Sequence, residues 1–218
     1  GSIAIDGEPN SVAAVGATVL VTIDRTEDMT KPAGELGVVD VASRKLENTC
    51  DLGGQPDSVV VSPDGTFAAI AIENQRDEEL NDGALPQLPA GELLILSLND
   101  GTPACDSIKR VDLTGLATVA PEDPEPEFVN INADGEIAVT LQENNHIVIV
   151  DSRTATVSGH FTAGTVDLDG VDTRSDGALE FTGRLDGVPR EPDSVKWLGT
   201  DRLVAANEGD YNGGSRGF

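Results

Sequence analysis

Four stretches of this 218-residue chain open alike: Glu8-Pro9-Asn10-Ser11-Val12, Gln55-Pro56-Asp57-Ser58-Val59, Glu125-Pro126-Glu127-Phe128-Val129 and Glu191-Pro192-Asp193-Ser194-Val195. Each sets an oxygen-bearing side chain directly after a proline: Asn10, Asp57, Glu127 and Asp193. Downstream of each opening lies a second set: Asp24, then Glu73 with Asn74, then Glu143 with Asn144, then Asn207, Glu208 and Asp210. The chain has only two histidines and two cysteines, so its available donors are carboxylate and amide oxygens. That is the ligand set of a hard cation, Ca²⁺ ahead of Mg²⁺, and not of zinc or copper. The same residues have a competing local use, since Asp and Ser at strand starts bond nearby backbone amides and cap turns.

These groups serve one site only if the fold makes them meet. The opening prolines lie 47, 70 and 66 residues apart, the mark of a repeat architecture. Each opening runs into a short strand, a turn and a second strand; Ser62-Pro63-Asp64-Gly65 and Asn132-Ala133-Asp134-Gly135 read as hairpin turns. Second strands are expected at 19–23, 67–72, 137–141 and 203–206, third strands at 36–41, 93–98 and 147–151, and outer strands at 45–52, 107–113 and 156–161. The inner runs are almost continuously small and apolar, while the outermost alternate with polar residues. That gradient belongs to a radial blade, crowded at the axis and wet at its edge. The sequence therefore predicts an all-β fold, a β-propeller of four-stranded blades over 7–52, 53–115, 122–165 and, incomplete, 188–218, with an acidic connection at 166–187. Rings close with about four to eight blades, so the expected partner is the rest of the propeller or a second chain. In each blade the second strand returns antiparallel, which brings both sets of acids to one rim of the central channel. The long insertions 25–34 and 75–91 leave from that rim, where ligand-binding loops gather.

The net charge of −25 excludes nucleic acid and anionic membrane surfaces, which would repel this chain. Four Lys against ten Arg within so acidic a composition suits a salty medium. No apolar run approaches membrane-spanning length. Cys50 and Cys105 each lie at or just before the last strand of a repeat, so matching positions in neighbouring blades predict a disulfide; two separate thiols are the alternative. In the acidic connection, Asp167 to Gly177 only loosely evokes a calcium loop. Counted from Asp172, Arg174 stands where an oxygen ligand is needed and Gly183 falls at the twelfth position, so a solvated linker is the simpler expectation.

Two runs carry a family resemblance. Glu125-Pro126-Glu127-Phe128 through Val139-Thr140-Leu141-Gln142-Glu143-Asn144-Asn145, and Leu203-Val204-Ala205-Ala206-Asn207-Glu208-Gly209-Asp210, resemble signature stretches of the choice-of-anchor I and esterase-like-phytase propeller proteins. The segment between them resembles the corresponding segment of that family. The resemblance implies a secreted, periplasmic or surface-attached bacterial propeller, often given a phytase- or phosphatase-like label. Phytase propellers bind Ca²⁺ in an acidic cleft where metal bridges the phosphate. Such a site also wants cationic side chains, and Arg25, Arg76 and Arg216 stand in the rim loops.

Other motifs carry less. Gly213-Gly214-Ser215-Arg216-Gly217 matches a nucleophile-elbow pattern but sits in a glycine-rich loop rather than between strand and helix. His146 and His160 lack an obvious serine partner or metal-site spacing. Two readings of different class follow. One is a Ca²⁺-dependent extracellular phosphoesterase acting on a small molecule, in which Glu73, Glu143, Glu208 and Asp210 hold metal or act as base. The other is a non-catalytic binding or surface propeller that uses Ca²⁺ structurally.

Overall fold

The computed structural model describes residues 2–77, 79–174 and 176–209. Seventeen strands run through them, joined by turns and two short 3₁₀ segments. The first sheet takes β1 (Glu8–Val15), β2 (Thr18–Asp24), β3 (Gly34–Asp40) and β4 (Lys45–Asp51) in chain order. The second takes β5 (Pro56–Val61), β6 (Phe67–Ile72) and β7 (Glu92–Asn99), and both β8 (Thr102–Pro103) and β9 (Lys109–Asp112) pair with β7. The third takes β10 (Pro126–Ile131), β11 (Glu136–Leu141), β12 (His146–Asp151) and β13 (Thr156–Thr162). A fourth begins with β16 (Pro192–Leu198) and β17 (Arg202–Asn207). Every neighbouring pair is antiparallel. Among the described residues no helix is long and apolar enough to cross a membrane.

The sheets stack as spokes. β5 packs on β1 and β2, β10 on β5 and β6, and β16 on β10 and β11. A strand covered on both faces has no use for polar alternation, and β6 (Phe-Ala-Ala-Ile-Ala-Ile) and β11 (Glu-Ile-Ala-Val-Thr-Leu) are buried over five of their six positions. Leu20, Leu36, Ile70 and Leu94 fill the space between the first two blades, while Leu93, Val129 and Leu141 join the core between the second and third. Each such Leu or Ile contributes roughly 1.5–3 kcal/mol by leaving water. The outer strands β4 and β13 alternate with exposed polar positions, as the sequence pattern requires.

Spacing between blades is tight where each new blade begins. A Cβ on Gly34 would lie 2.2 Å from Cδ of Pro56, and one on Gly91 would lie 2.4 Å from Cδ of Pro126. The third strand of one blade thus presses on the proline that opens the next, and only glycine leaves room for that ring. All four opening strands also slip register just after their proline, between Pro9 and Val12, Pro56 and Val59, Pro126 and Val129, and Pro192 and Ser194. Such bulges re-aim side chains, here those of the opening acids.

The acidic connection departs from the linker expectation. Thr165–Val171 (β14) and Gly183–Pro189 (β15) form an antiparallel hairpin. Val166 pairs with Val188 and Leu168 with Leu185, while the intervening Asp167 and Asp169, with Asp186, grip the guanidinium of Arg184. The acid spacing hid a period-two strand, because the charges occupy one face only.

Cys50 on β4 and Cys105 at the start of a 3₁₀ turn are bonded, with Cα atoms 5.4 Å apart. The bridge ties the outer edges of the first and second blades across a separation of 55 residues. Reduction, or Cys50→Ser with Cys105→Ser, is expected to lower unfolding stability by about 4 kcal/mol through loop-closure entropy. Chemical denaturation with and without reductant measures this; equal midpoints would show that inter-blade packing alone sets the geometry.

Candidate functional site

Hydroxyls on one blade hold the backbone of the acid on the next. Thr22 donates to the carbonyl of Asp57 (3.2 Å), Ser58 to that of Glu127 (2.6 Å) and Thr140 to that of Asp193 (3.3 Å). Asn10 adds a bond from its amide to the carbonyl of Pro56 at 2.9 Å. Thr22 and Thr140 are fully buried in otherwise apolar strands, so each hydroxyl must find an acceptor, and the neighbouring opening supplies it.

The side chains fixed this way crowd together. The carboxyl of Glu127 is pushed up to about 9, first by burial and then by Glu73, Asp57 and Asp193, with a hydrogen bond to Asp193 adding to the shift. Glu73 is pushed up to about 8 by burial and by the charges of Asp57, Glu125, Glu143 and Asp24. Asp57 rises to about 6 through burial and Asp193. Acids from all four blades therefore share one electrostatic neighbourhood at one end of the channel. Asp24 binds the amide of Thr26 (2.8 Å) and receives the side-chain amide of Gln55 (3.3 Å). Glu208 at the end of β17 accepts a hydrogen bond from Gln142, while Asn207 pairs with Pro192 in the ladder. Asp210 and Arg216 lie outside the described residues.

Asn74 and Asn144, expected as cation ligands, do something else. Asn74 Oδ1 accepts the backbone N–H of Gln55 at 2.9 Å, and its amide donates to the carbonyls of Pro89 and Ala90. Asn144 repeats the arrangement with the N–H of Glu125 at 2.9 Å and the carbonyls of Val119, Ala120 and Asp123. Both amides pin a loop to the residue before the opening proline, and neither is carried forward as a ligand. The arginines are similarly engaged. Arg25 pairs with Asp6 and Glu35. Arg76, nearly buried, pairs with Asp123 (3.3 Å) and Glu125 (2.9 Å) and donates to the carbonyl of Asp123. Glu125 nevertheless stays pushed up to about 7, because burial outweighs the Arg76 charge.

A polar cavity of about 840 Å³ opens at this end of the first two blades, lined in part by Asp24, Arg25, Gln55, Asp57, Glu73 and Gln75. A smaller hollow of about 470 Å³ lies at the opposite strand ends, between the hairpin turns of the second and third blades, and shares none of these acids. The all-oxygen donor set suits a hard cation. Among the described residues, however, no three of His, Cys, Asp and Glu converge on a point that could hold a metal ion. An ion here would keep water in its shell.

Gln55, Asp123 and Glu125 belong to this region although their roles were not read from the sequence. For Gln55 and Glu125 the signal was their recurrence before the opening proline: the side-chain oxygen of Gln55 accepts the N–H of Gln75, and that of Glu125 accepts the N–H of Arg76. His146 and His160, for which the sequence offered no serine partner or metal-site spacing, meet at 3.0 Å.

Antiparallel sheets stacked as spokes, with their inner strand ends converging on one channel mouth, define a β-propeller. More narrowly, the chain belongs to the choice-of-anchor I domain family, whose model matches residues 2–214. No curated protein sequence matches it. Among solved structures it is similar to the hydrazine synthase of Kuenenia stuttgartiensis, with 16% identity and a TM-score of 0.51 over 69% of this chain and 42% of that one. It is also similar to the β-propeller domain of Cps50 (Swd1) from Myceliophteria thermophila, with 10% identity and a TM-score of 0.50 over 92% of this chain and 49% of that one. The chain thus spans less than half the length of these structures, and such likenesses concern the fold alone.

A carboxyl pushed up by folding binds its proton more tightly in the folded chain than in the unfolded one. Stability therefore falls as pH rises from the ordinary carboxylate range towards 9. In chelator, the melting temperature is expected to decline steadily between pH 5 and pH 9, and Glu127→Gln should flatten that decline. A melting temperature that rises over this interval in the parent chain would contradict the crowding.

Proposed function

We propose that this chain is a non-catalytic extracellular propeller module, for binding or surface display, whose acidic channel mouth takes up Ca²⁺ as a structural counter-ion. The observation that carries this is the burial of Glu73 and Glu127 among like charges, with no cation among the described residues that act on them. Protons neutralise part of that charge, and above neutral pH a divalent ion does so better. Asp57, Glu73, Glu127 and Asp193 would hold it, directly or through water. The extracytoplasmic setting is supported by the anchoring family and by the disulfide, which persists where thiols are not kept reduced. Phosphate-ester hydrolysis finds less support. It needs cationic groups for the phosphate, and Arg25 and Arg76 are already committed to Asp6, Glu35, Asp123 and Glu125.

The same reading includes a partner that continues the ring. β17 is built like β11 but lies open: Val204, at the position of buried Ala138, is 49% exposed. In the second blade, Ser58 donates to the carbonyl of the next opening acid; Ser194 holds the same place in the fourth. The partner is therefore an innermost blade strand, presenting a backbone carbonyl to Ser194 and apolar side chains to Val204.

Thermal unfolding at pH 8 in chelator and in graded Ca²⁺ tests the module. The melting temperature should rise with Ca²⁺, by an amount worth about 2.7 kcal/mol at a hundredfold excess over Kd, and Glu73→Gln with Glu127→Gln should abolish the response. Calcium-dependent release of phosphate from p-nitrophenyl phosphate, lost in Glu73→Gln, would replace the module with an enzyme. Light scattering on the isolated chain is expected to give a mass above the 22.6 kDa of one copy, because the β17 face seeks cover. A monodisperse monomer would remove the partner strand from the proposal.

A further inference from the structure

His146 begins β12 directly after Asn145, a residue on which three parts of the fold converge. The carbonyl of Asn145 accepts the N–H of Ala163 (2.9 Å) and the hydroxyl of Thr162 (3.2 Å). Its side chain donates to the carbonyl of Gly164 (2.9 Å) and accepts the N–H of Glu191 (3.1 Å), the residue that opens the fourth blade. Asn145 thus ties the third blade, the hairpin connection and the fourth blade together. The ring of His146 is 4% exposed, and its Nε2 lies 3.0 Å from Nδ1 of His160 on β13, with ring centroids 5.2 Å apart. The two strands are paired, with His146 opposite Thr162 and His160 opposite Val148, so the rings meet diagonally on one face.

One proton serves that contact, and its side is set by the other nitrogen of His146. Nδ1 of His146 is buried with no hydrogen-bond partner. A bare lone pair there costs less than an N–H, which would be an orphaned buried donor. The proton therefore sits on Nε2 of His146 and is given to Nδ1 of His160, whose own Nε2 carries the second hydrogen towards solvent. Charged groups on the surrounding elements are Glu143 in the preceding turn, Glu136 at the far end of β11, Asp151 at the far end of β12, and Arg190 and Glu191 beyond β15. Burial and then His160 hold His146 below the usual histidine range. Arg190 donates to the carbonyl of Ala163 at 3.0 Å.

We propose that the His146–His160 pair is an acid-sensitive latch on the junction between the third and fourth blades. Protonation of His160 places an N–H on the nitrogen that had been the acceptor. His146 must then accept at Nε2 and carry its proton on the buried, partnerless Nδ1. A second proton sets two cations face to face at hydrogen-bonding distance, one of them out of water, and the contact opens. The end of β13 loosens, and with it the bonds of Thr162 and Ala163 to Asn145. Acid thereby weakens this corner, while the crowded carboxyls at the channel mouth gain stability from the same protons; the two effects have opposite sign.

Amide hydrogen exchange, corrected for intrinsic rates, separates them between pH 7.5 and pH 5. The protection of Ala163 should fall by at least about tenfold on acidification, while that of Ile70 in β6 holds or rises. His146→Leu with His160→Val should leave the protection of Ala163 flat across the same range. In the unaltered chain, NMR titration of the ring carbons should show His146 staying neutral to below the usual histidine range, which keeps the test available if the double variant fails to fold. The latch is overturned if Ala163 protection is flat in the parent chain, if it falls equally in the double variant, or if His146 titrates independently as an exposed histidine does.

Discussion

Hydroxyl-to-carbonyl bonds from each blade to the opening of the next, Thr22 to Asp57, Ser58 to Glu127 and Thr140 to Asp193, carry the consequence on which the rest of this molecule depends. They are made by buried side chains, and for Thr22 and Thr140 the inter-blade carbonyl is nearer than the alternative within the blade, Ser11 or Phe128; they fix the backbone of residues whose side chains repel one another. Gly34 against Pro56 and Gly91 against Pro126 set the same spacing by contact. Backbone geometry, anchored in apolar packing, thus overrides the preference of carboxylates to separate. The result is a channel mouth where acids are buried, mutually destabilised as anions, and receptive to protons or a cation.

That arrangement explains the division of labour among residues that look alike in sequence. Asp57, Glu73 and Glu127 face the shared space and bear its electrostatic load. Asn74 and Asn144, next to acids of the same rim, face the backbone and hold the long loops in place. Asp123 and Glu125 neutralise Arg76 and fasten the 75–91 loop to the entry of the third blade. A rim built so largely of structural bonds positions a few groups firmly and leaves few side chains to handle a phosphate. This is why we propose a cation-stabilised module ahead of a hydrolase.

Family membership and fold bear on the ring rather than on the ion. A choice-of-anchor I domain is matched over residues 2–214, and the similar solved structures are each covered to less than half. The exposed inner face of β17 has the composition of a strand meant to be covered, since Leu203, Val204 and Ala205 repeat the character of Ile137, Ala138 and Val139.

Much of this was readable before any coordinates. The recurring proline-acid opening, the apolar inner runs and the polar outer strands specified spokes, because a strand buried on both faces and a strand wet on one leave different periodicities. Cys50 and Cys105 could be paired because equivalent positions in adjacent repeats lie side by side. The hairpin at 165–189 escaped, since its acids resemble a solvated linker when the alternation of Val166 and Leu168 between them is overlooked. Which oxygen faces the channel and which the backbone was also beyond the sequence. Glu73 and Asn74 are one residue apart, and a positive φ at Asn74 turns the second side chain away from the first. The meeting of His146 with His160 belongs to the same class, because strand positions fix a register but not which rings on a shared face come within reach. Local chemistry wrote the repeat; only the stacking of one blade on the next decided what each polar atom had left to bind.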